Sequence, residues 1–348
     1  MKRLLATLLG ISLITASVFG CSADNKQVPG DSAAVTTTAE PTTTTTEARG
    51  HFEFKPVVMS SIFRDIMGED MCWAYGNYVN AVRAKEDSFE VKSEHDYDWM
   101  IGQFPGQLYP IYAVYTESNY AGAFKDGRAT FQYKISKEEL AAKEAEFEKI
   151  VIDILNENLR DDYSDFEKVL ALYLYFSKNY SYDYDALDWD PFEKDAKLSA
   201  YRFLIEKKGI CSECAPAFTY LLLQAGVDCT SGGGYSHDAN DGHAWSYVTI
   251  KGKNYHVDPT YVMSRPNDLT YLMMTDDKRC KEGNYKKNEM SIGCHYKEDH
   301  NGDKYNADDN FFAPLWGGTL TSWDHEKKLI FYTDQDGDEC SFDYSLFG

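Results

Sequence analysis

The stretch Gly209-Ile210-Cys211-Ser212-Glu213-Cys214-Ala215-Pro216-Ala217-Phe218-Thr219-Tyr220-Leu221-Leu222-Leu223-Gln224-Ala225-Gly226 decides how the rest of the chain is read. Its second half is apolar on almost every side, which predicts a buried helix over 215–225, and Gly226 is the residue type that commonly ends one. Pro216 has no amide hydrogen and fits a helix only in the first turn, where the backbone donors have no helical partner. The helix is therefore expected to begin within 211–213, with Cys211 at its N-terminus. A helix end presents partial positive charge and amide donors, so a thiol whose ordinary pKa is about 8.5 is stabilised there as the thiolate. A cysteine on a helix is by itself more often a small core residue than a nucleophile. The residues that follow decide between the two.

A nucleophilic thiol needs a base, and the base needs an orienting group. Residues 243–250, a turn at 251–253 and residues 254–261 alternate with a period of two and read as a β-hairpin. His243, in Gly242-His243-Ala244-Trp245, opens the first strand; Asp258, in His256-Val257-Asp258-Pro259-Thr260, lies near the end of the second. Antiparallel pairing can set the two side by side, the carboxylate holding one ring nitrogen and fixing the tautomer. His237, in a glycine-rich loop with Gly232 to Gly234, and His256, on the same strand face as Asp258, are rival bases. Cys214 is a rival thiol. It also forms a C-x-x-C pair with Cys211, but no second such pair or histidine pair completes a zinc site.

Upstream, the apolar spacing of Leu140, Phe147, Ile150, Val151, Ile154 and Leu155 predicts a helix over 136–159. Ser164 followed by Glu167 marks the start of a second helix by a capping-box pattern, and a third is expected over 197–208 with Gly209 as its stop, after a loop over 182–191. Residues 51–137 combine a helix around 60–84 with alternating aromatic segments at 109–115 and 129–133. Three short strands, 318–323, 328–333 and 339–344, predict a C-terminal β-meander. The acidic runs 299–303 and 334–338 lack the glycine at the sixth position and the glutamate at the twelfth of a calcium loop, and read as solvated turns.

With 348 residues, 43% of them hydrophobic, the chain can bury a sizeable core. A formal net charge of −21 argues against a nucleic-acid partner, whose phosphates would be repelled over most of the surface. Lys2 and Arg3 precede an apolar stretch over 4–19, a secretory signal too short and wrongly flanked for a membrane span. Val18-Phe19-Gly20-Cys21 resembles a bacterial lipobox, which makes Cys21 the expected site of lipidation. The threonine-rich residues that follow cannot bury enough surface to fold and read as a tether. Of eight cysteines, the six besides Cys21 and Cys211 could form up to three disulfides in an oxidising exterior.

Gly209-Ile210-Cys211, the small and aromatic residues of 215–218, Leu221-Leu222-Leu223, Gly226, Gly232 to Gly234, Gly242-His243-Ala244-Trp245 and Val257-Asp258-Pro259-Thr260-Tyr261 together resemble a bacterial transglutaminase-like domain. The resemblance spans roughly 147–277 and takes in Tyr271-Leu272-Met273, similar to the family's strand after the aspartate. Cys214, where an aromatic is common, and Pro216, close to the nucleophile, depart from the pattern. The resemblance implies an α+β fold with a papain/transglutaminase-like core, a small N-terminal α+β unit and a C-terminal β-meander. It also implies that Cys211 is the nucleophile, His243 the base and Asp258 the orienting carboxylate. The Cys211 amide and Tyr182 become candidate oxyanion donors, with Tyr180 and Tyr184 close enough to compete. The expected organisation is a signal at 1–20, a tether at 21–50, an accessory domain at 51–137, a catalytic domain at 138–285 and the meander at 286–348. The expected function is that of an extracytoplasmic, membrane-anchored lipoprotein enzyme cleaving or exchanging amide bonds of peptide, protein or cell-wall substrates through a cysteine thioester, without metal or cofactor. The alternative is a noncatalytic surface protein that binds glycan or protein. The oligomeric state is left open.

Overall fold

The computed structural model describes residues 50–117, 122–239, 241–293, 295–296 and 304–348. The predicted signal, Cys21, the tether to residue 49, Cys294 and the acidic run 299–303 lie outside the described residues.

Helix α1 (Ser61–Arg83), strand β1 (Ser88–Glu90), helices α2 (Glu94–Leu108) and α3 (Pro110–Tyr115), and the short strands β2 (Thr116–Glu117), β3 (Phe124–Lys125), β4 (Arg128–Thr130) and β5 (Gln132–Tyr133) come first. The aromatic segment 109–115 is thus a helix and not a strand. Pro110 stands at its first turn, where a missing amide hydrogen costs nothing, and Ile111 and Tyr112 are buried. Helix α4 (Lys137–Asn158) opens on Ser136, whose hydroxyl accepts from the Glu139 amide. Helix α5 (Asp165–Asn179) opens on the predicted capping box of Ser164 and Glu167.

Strand β6 (Ser181–Tyr182), the short helices α6 (Tyr184–Leu187) and α7 (Pro191–Lys197), helix α8 (Ala200–Glu206) and strand β7 (Lys208–Gly209) lead into helix α9 (Cys211–Gln224). The segment expected as a loop over 182–191 and the third helix expected over 197–208 therefore resolve into several short pieces. The stop after α8 is not Gly209 but Lys207, which takes the left-handed conformation at φ 54°. Gly209 instead pairs with Tyr182 in a parallel two-strand ladder. A Cβ on Gly209 would fall 2.6 Å from both Glu213 Oε2 and Phe203, so close packing explains the glycine. Helix α9 begins where it was expected, yet Pro216 lies in its second turn, inside the helix. The residue at 216 has no amide hydrogen to donate to the Ser212 carbonyl one turn back, and its ring crowds that same carbonyl.

Strands β8 (Asp228–Ser236), β9 (Asp241–Ile250) and β10 (Lys253–Val257), with β11 (Ser291–Ile292) and β12 (His295–Tyr296), form an antiparallel sheet in the order β10-β9-β8-β11-β12. Gly232 to Gly234 belong to β8 and not to a loop. A Cβ at Gly234 would meet the Trp245 ring at 2.9 Å, so these glycines let bulky neighbours lie across the strand. The β9–β10 hairpin turns through Lys251 and Gly252, both at positive φ. Residues 271–273 are not a strand; a single bridge, His256 to Met274, and a bond from the Asp258 amide to the Tyr271 carbonyl tie this segment to the end of β10. Helix α10 (Asp276–Gly283) follows, and the predicted meander is present as β13 (Thr319–Asp324), β14 (Leu329–Thr333) and β15 (Glu339–Asp343).

One hydrophobic cluster runs from Val58 to Phe347 and so includes residues of the N-terminal helices, the central helices and sheet, and the meander. Phe166 of α5 stacks on Phe312 at 4.7 Å, and Glu167, fully buried, accepts from Tyr344, His325 and Lys328. Cys72, Cys214, Cys229 and Cys340 are free thiols, so a set of three disulfides drawn from the six cysteines is not formed.

Candidate active site

The first turn of α9 is held from below by a buried ion pair. Glu213 accepts from the Ile210 amide at 3.2 Å, closing the helix end, and receives a fork from Arg202 at 2.7 and 2.9 Å. Arg202 also reaches Asp183 at 3.1 Å, the residue after Tyr182. Lys208 joins the same carboxylate at 2.9 Å. Burial pushes the Asp183 carboxyl up, and Lys208 and Arg202 more than offset it, leaving the group below its ordinary range. Strand pairing and this charge network thus fix the Tyr182 segment to the chain two residues ahead of Cys211, which is itself fully buried.

Helix α9 packs on β9 through Ser246, whose hydroxyl donates to the Ala215 carbonyl at 3.1 Å and lies 2.9 Å from the Thr219 hydroxyl. Three and four residues from Cys211, Cys214 and Ala215 share its helix face. The strand that receives α9 at Ser246 is the one that carries His243. His243 Nε2 lies 2.7 Å from Asp258 Oδ2, both groups buried. Asp258 also receives Arg279 Nη1 at 2.9 Å on Oδ2 and the Thr260 amide at 3.1 Å on Oδ1. Burial pushes the Asp258 carboxyl up, but the His243 charge and hydrogen bond, with Arg279, bring it below the usual carboxylate range. An ionised carboxylate can only accept, so His243 donates from Nε2 and its Nδ1 is left as the basic nitrogen.

The rivals are accounted for by their surroundings. Trp245 Nε1 donates to His256 Nδ1 at 2.8 Å, and His256 Nε2 lies 2.8 Å from Asp276 Oδ1. An indole nitrogen is a donor only, so His256 Nδ1 must be unprotonated and the proton sits on Nε2, facing Asp276. His256 is therefore a neutral, fully engaged support. His237 stands beyond the end of β8, 2.7 Å from Glu289. Burial pushes the Cys214 thiol well above its ordinary range, the Thr260 hydroxyl opposing, which is the opposite of activation.

Arg279 was not legible in the sequence. Asp276-Asp277-Lys278-Arg279 has the composition of a solvated helix, yet Arg279 is fully buried and Asp276 nearly so. Their i, i+3 spacing, which puts both on one helix face, is the signal that could have found them. Among the described residues no group of three or more His, Cys, Asp or Glu side chains is arranged to hold a metal ion. The run 334–338 is a tight turn in which Asp334 Oδ1 accepts from the amides of Asp336 and Asp338.

A model of the Transglutaminase-like superfamily matches residues 153–259. Solved structures with a related arrangement include one described as a TGase, 14% identical over 49% of this chain with a TM-score of 0.28. Another, from Cytophaga hutchinsonii and described as a candidate cysteine protease, is 23% identical over 30% of this chain with a TM-score of 0.24. The matched regions span 49% and 34% of those two proteins. No curated protein matches the chain. The chain thus carries, over residues 153–259, a domain of the transglutaminase-like superfamily.

Proposed function

We propose that the chain is a cysteine-dependent enzyme that acts on amide bonds of peptide or protein substrates, with Cys211 as nucleophile, His243 as base and Asp258 as the group that orients it. The observation that carries this reading is the 2.7 Å bond between His243 and Asp258, with His243 on the strand that packs against the helix that Cys211 opens. The Cys211 thiolate attacks the amide carbonyl and forms the C–S bond. The imidazolium of His243 gives its proton to the departing amine as the C–N bond breaks, leaving a thioester. Water or a second amine, deprotonated by His243, then displaces the thiolate and yields an acid or a new amide. The Cys211 amide and the Tyr182 hydroxyl are the oxyanion donors of this scheme. The lipobox-like Cys21 and the threonine-rich stretch after it support placing this activity outside the cell, tethered to a membrane, with cell-wall peptide or extracellular protein as substrate.

Alkylation of the mature chain under mild reductant, mapped by mass spectrometry across pH, tests the reading. Selective labelling of Cys211 at or below neutral pH, weakened by His243→Ala, is expected. Slow labelling spread over several cysteines and identical in both proteins would replace it with a noncatalytic binding role.

A further inference from the structure

Arg279 donates to the same oxygen of Asp258 as His243 does, and the two bonds measure 2.9 and 2.7 Å. Its guanidinium lies over the Trp245 ring at 4.5 Å and the Tyr285 ring at 4.7 Å. Trp245 is fixed in turn by His256, and His256 by Asp276 at the start of the helix that carries Arg279. The support is a closed circuit: strand β9 holds the ring, the ring holds the cation, and the cation holds the carboxylate. Such a structure is more than an unspecialised core needs, since a buried charge is costly unless paired.

Other ionisable groups acting on Asp258 or Arg279 are Tyr173 from α5, Cys214 from α9, and Tyr261, Tyr271 and Tyr285, together with His243. Burial raises Tyr173, Cys214 and Tyr271. Arg279 is the permanent cation of this set. Without it, the buried Asp258 carboxylate would have the His243 proton as its balancing charge and would resist releasing it to a departing amine. We propose that Arg279 is a positioning residue of the active site: as the standing counter-ion of Asp258 it fixes the carboxylate for His243 and leaves the imidazole able to give up its proton. This rests on reading Cys211, His243 and Asp258 as the working trio.

The experiment follows the His243 ring resonance by NMR in chain labelled at histidine, in a Cys211→Ala background so that the thiol does not titrate with it. Arg279→Gln keeps a donor for Asp258 without the charge, and Arg279→Met removes both; whichever remains folded decides. The His243 midpoint should rise by about one pH unit or more in the neutral variants, as expected when a like charge is taken from its vicinity, and return towards its starting value in Arg279→Lys. An unchanged or lowered midpoint overturns the proposal. Selectivity of Cys211 alkylation in the parent chain is read separately, so loss of the trio reading and loss of the Arg279 role give different results.

Discussion

Replacing Asp258 by asparagine is expected to unfold the site as well as disable it. Three donors converge on this carboxylate: His243 and Arg279 on Oδ2, and the Thr260 amide on Oδ1. An asparagine has one acceptor oxygen in place of two, so at least one donor must face its NH2 group. Arg279, with no exposed side-chain surface, is also left without its carboxylate. Breaking a buried pair by removing one partner costs about 3–5 kcal/mol. With Tm moving about 2–4 °C per kcal/mol in a domain of this size, Asp258→Asn should melt about 6–20 °C below the parent chain. Adding Arg279→Met removes the stranded cation and should recover most of that loss. Thermal melts and urea titrations of the two single variants and the double variant close the cycle. If Asp258→Asn is as stable as the parent, or the two changes add within about 0.5 kcal/mol, the buried pair is not coupled and the reasoning fails.

His256→Gln should keep Cys211 alkylation close to the parent rate, because one amide can accept from Trp245 and donate to Asp276, whereas His243→Gln should slow it about 100-fold or more; equal losses in both would return His256 to the list of bases. Gly234→Ala should destabilise the chain by about 1–3 kcal/mol in urea titration, since the new Cβ would lie 2.9 Å from Trp245 and 3.1 Å from Tyr285; an unchanged midpoint would contradict the close packing. Glu167 carries the pH prediction. Burial raises its carboxyl, but the Ser164 amide, His325, Tyr344 and Lys328 bring it below the ordinary range. A depressed carboxyl contributes stability that is complete above its unfolded value, about 4.3, and is lost as pH falls through the lower folded value. The urea midpoint of the parent chain should therefore fall at acid pH with a steeper slope than that of Glu167→Gln; matching slopes would exclude a role for this group.

The helix that Cys211 opens, the His243 hairpin, the capping box at Ser164 and the C-terminal meander were all legible in the sequence, because each rests on local chemistry: a glycine stop, a period of two, a serine and a glutamate three residues apart. The misreadings share another cause. Tyr109–Tyr115 alternates like a strand, but the proline at its first turn and burial on one side made it a helix. Gly232 to Gly234 suggest a loop to any local rule, and become a strand because Trp245 and Ser291 need the space. Arg279 drew no reading at all, since little in a charged stretch points to a carboxylate 21 positions away. Local pattern carried Cys211, His243 and Asp258 as candidates; for Arg279 it offered at most the i, i+3 spacing with Asp276, since its pairing with Asp258 exists only after folding.

Arg279 and Asp276 lie beyond residue 259, where the match to the superfamily ends. The trio is therefore not a portable cassette. A fragment cut at the family boundary, or a chimera that grafts residues 153–259 onto another scaffold, would inherit Cys211, His243 and Asp258 but not the cation that balances the acid. Transplanting the proposed site means carrying α10 with it.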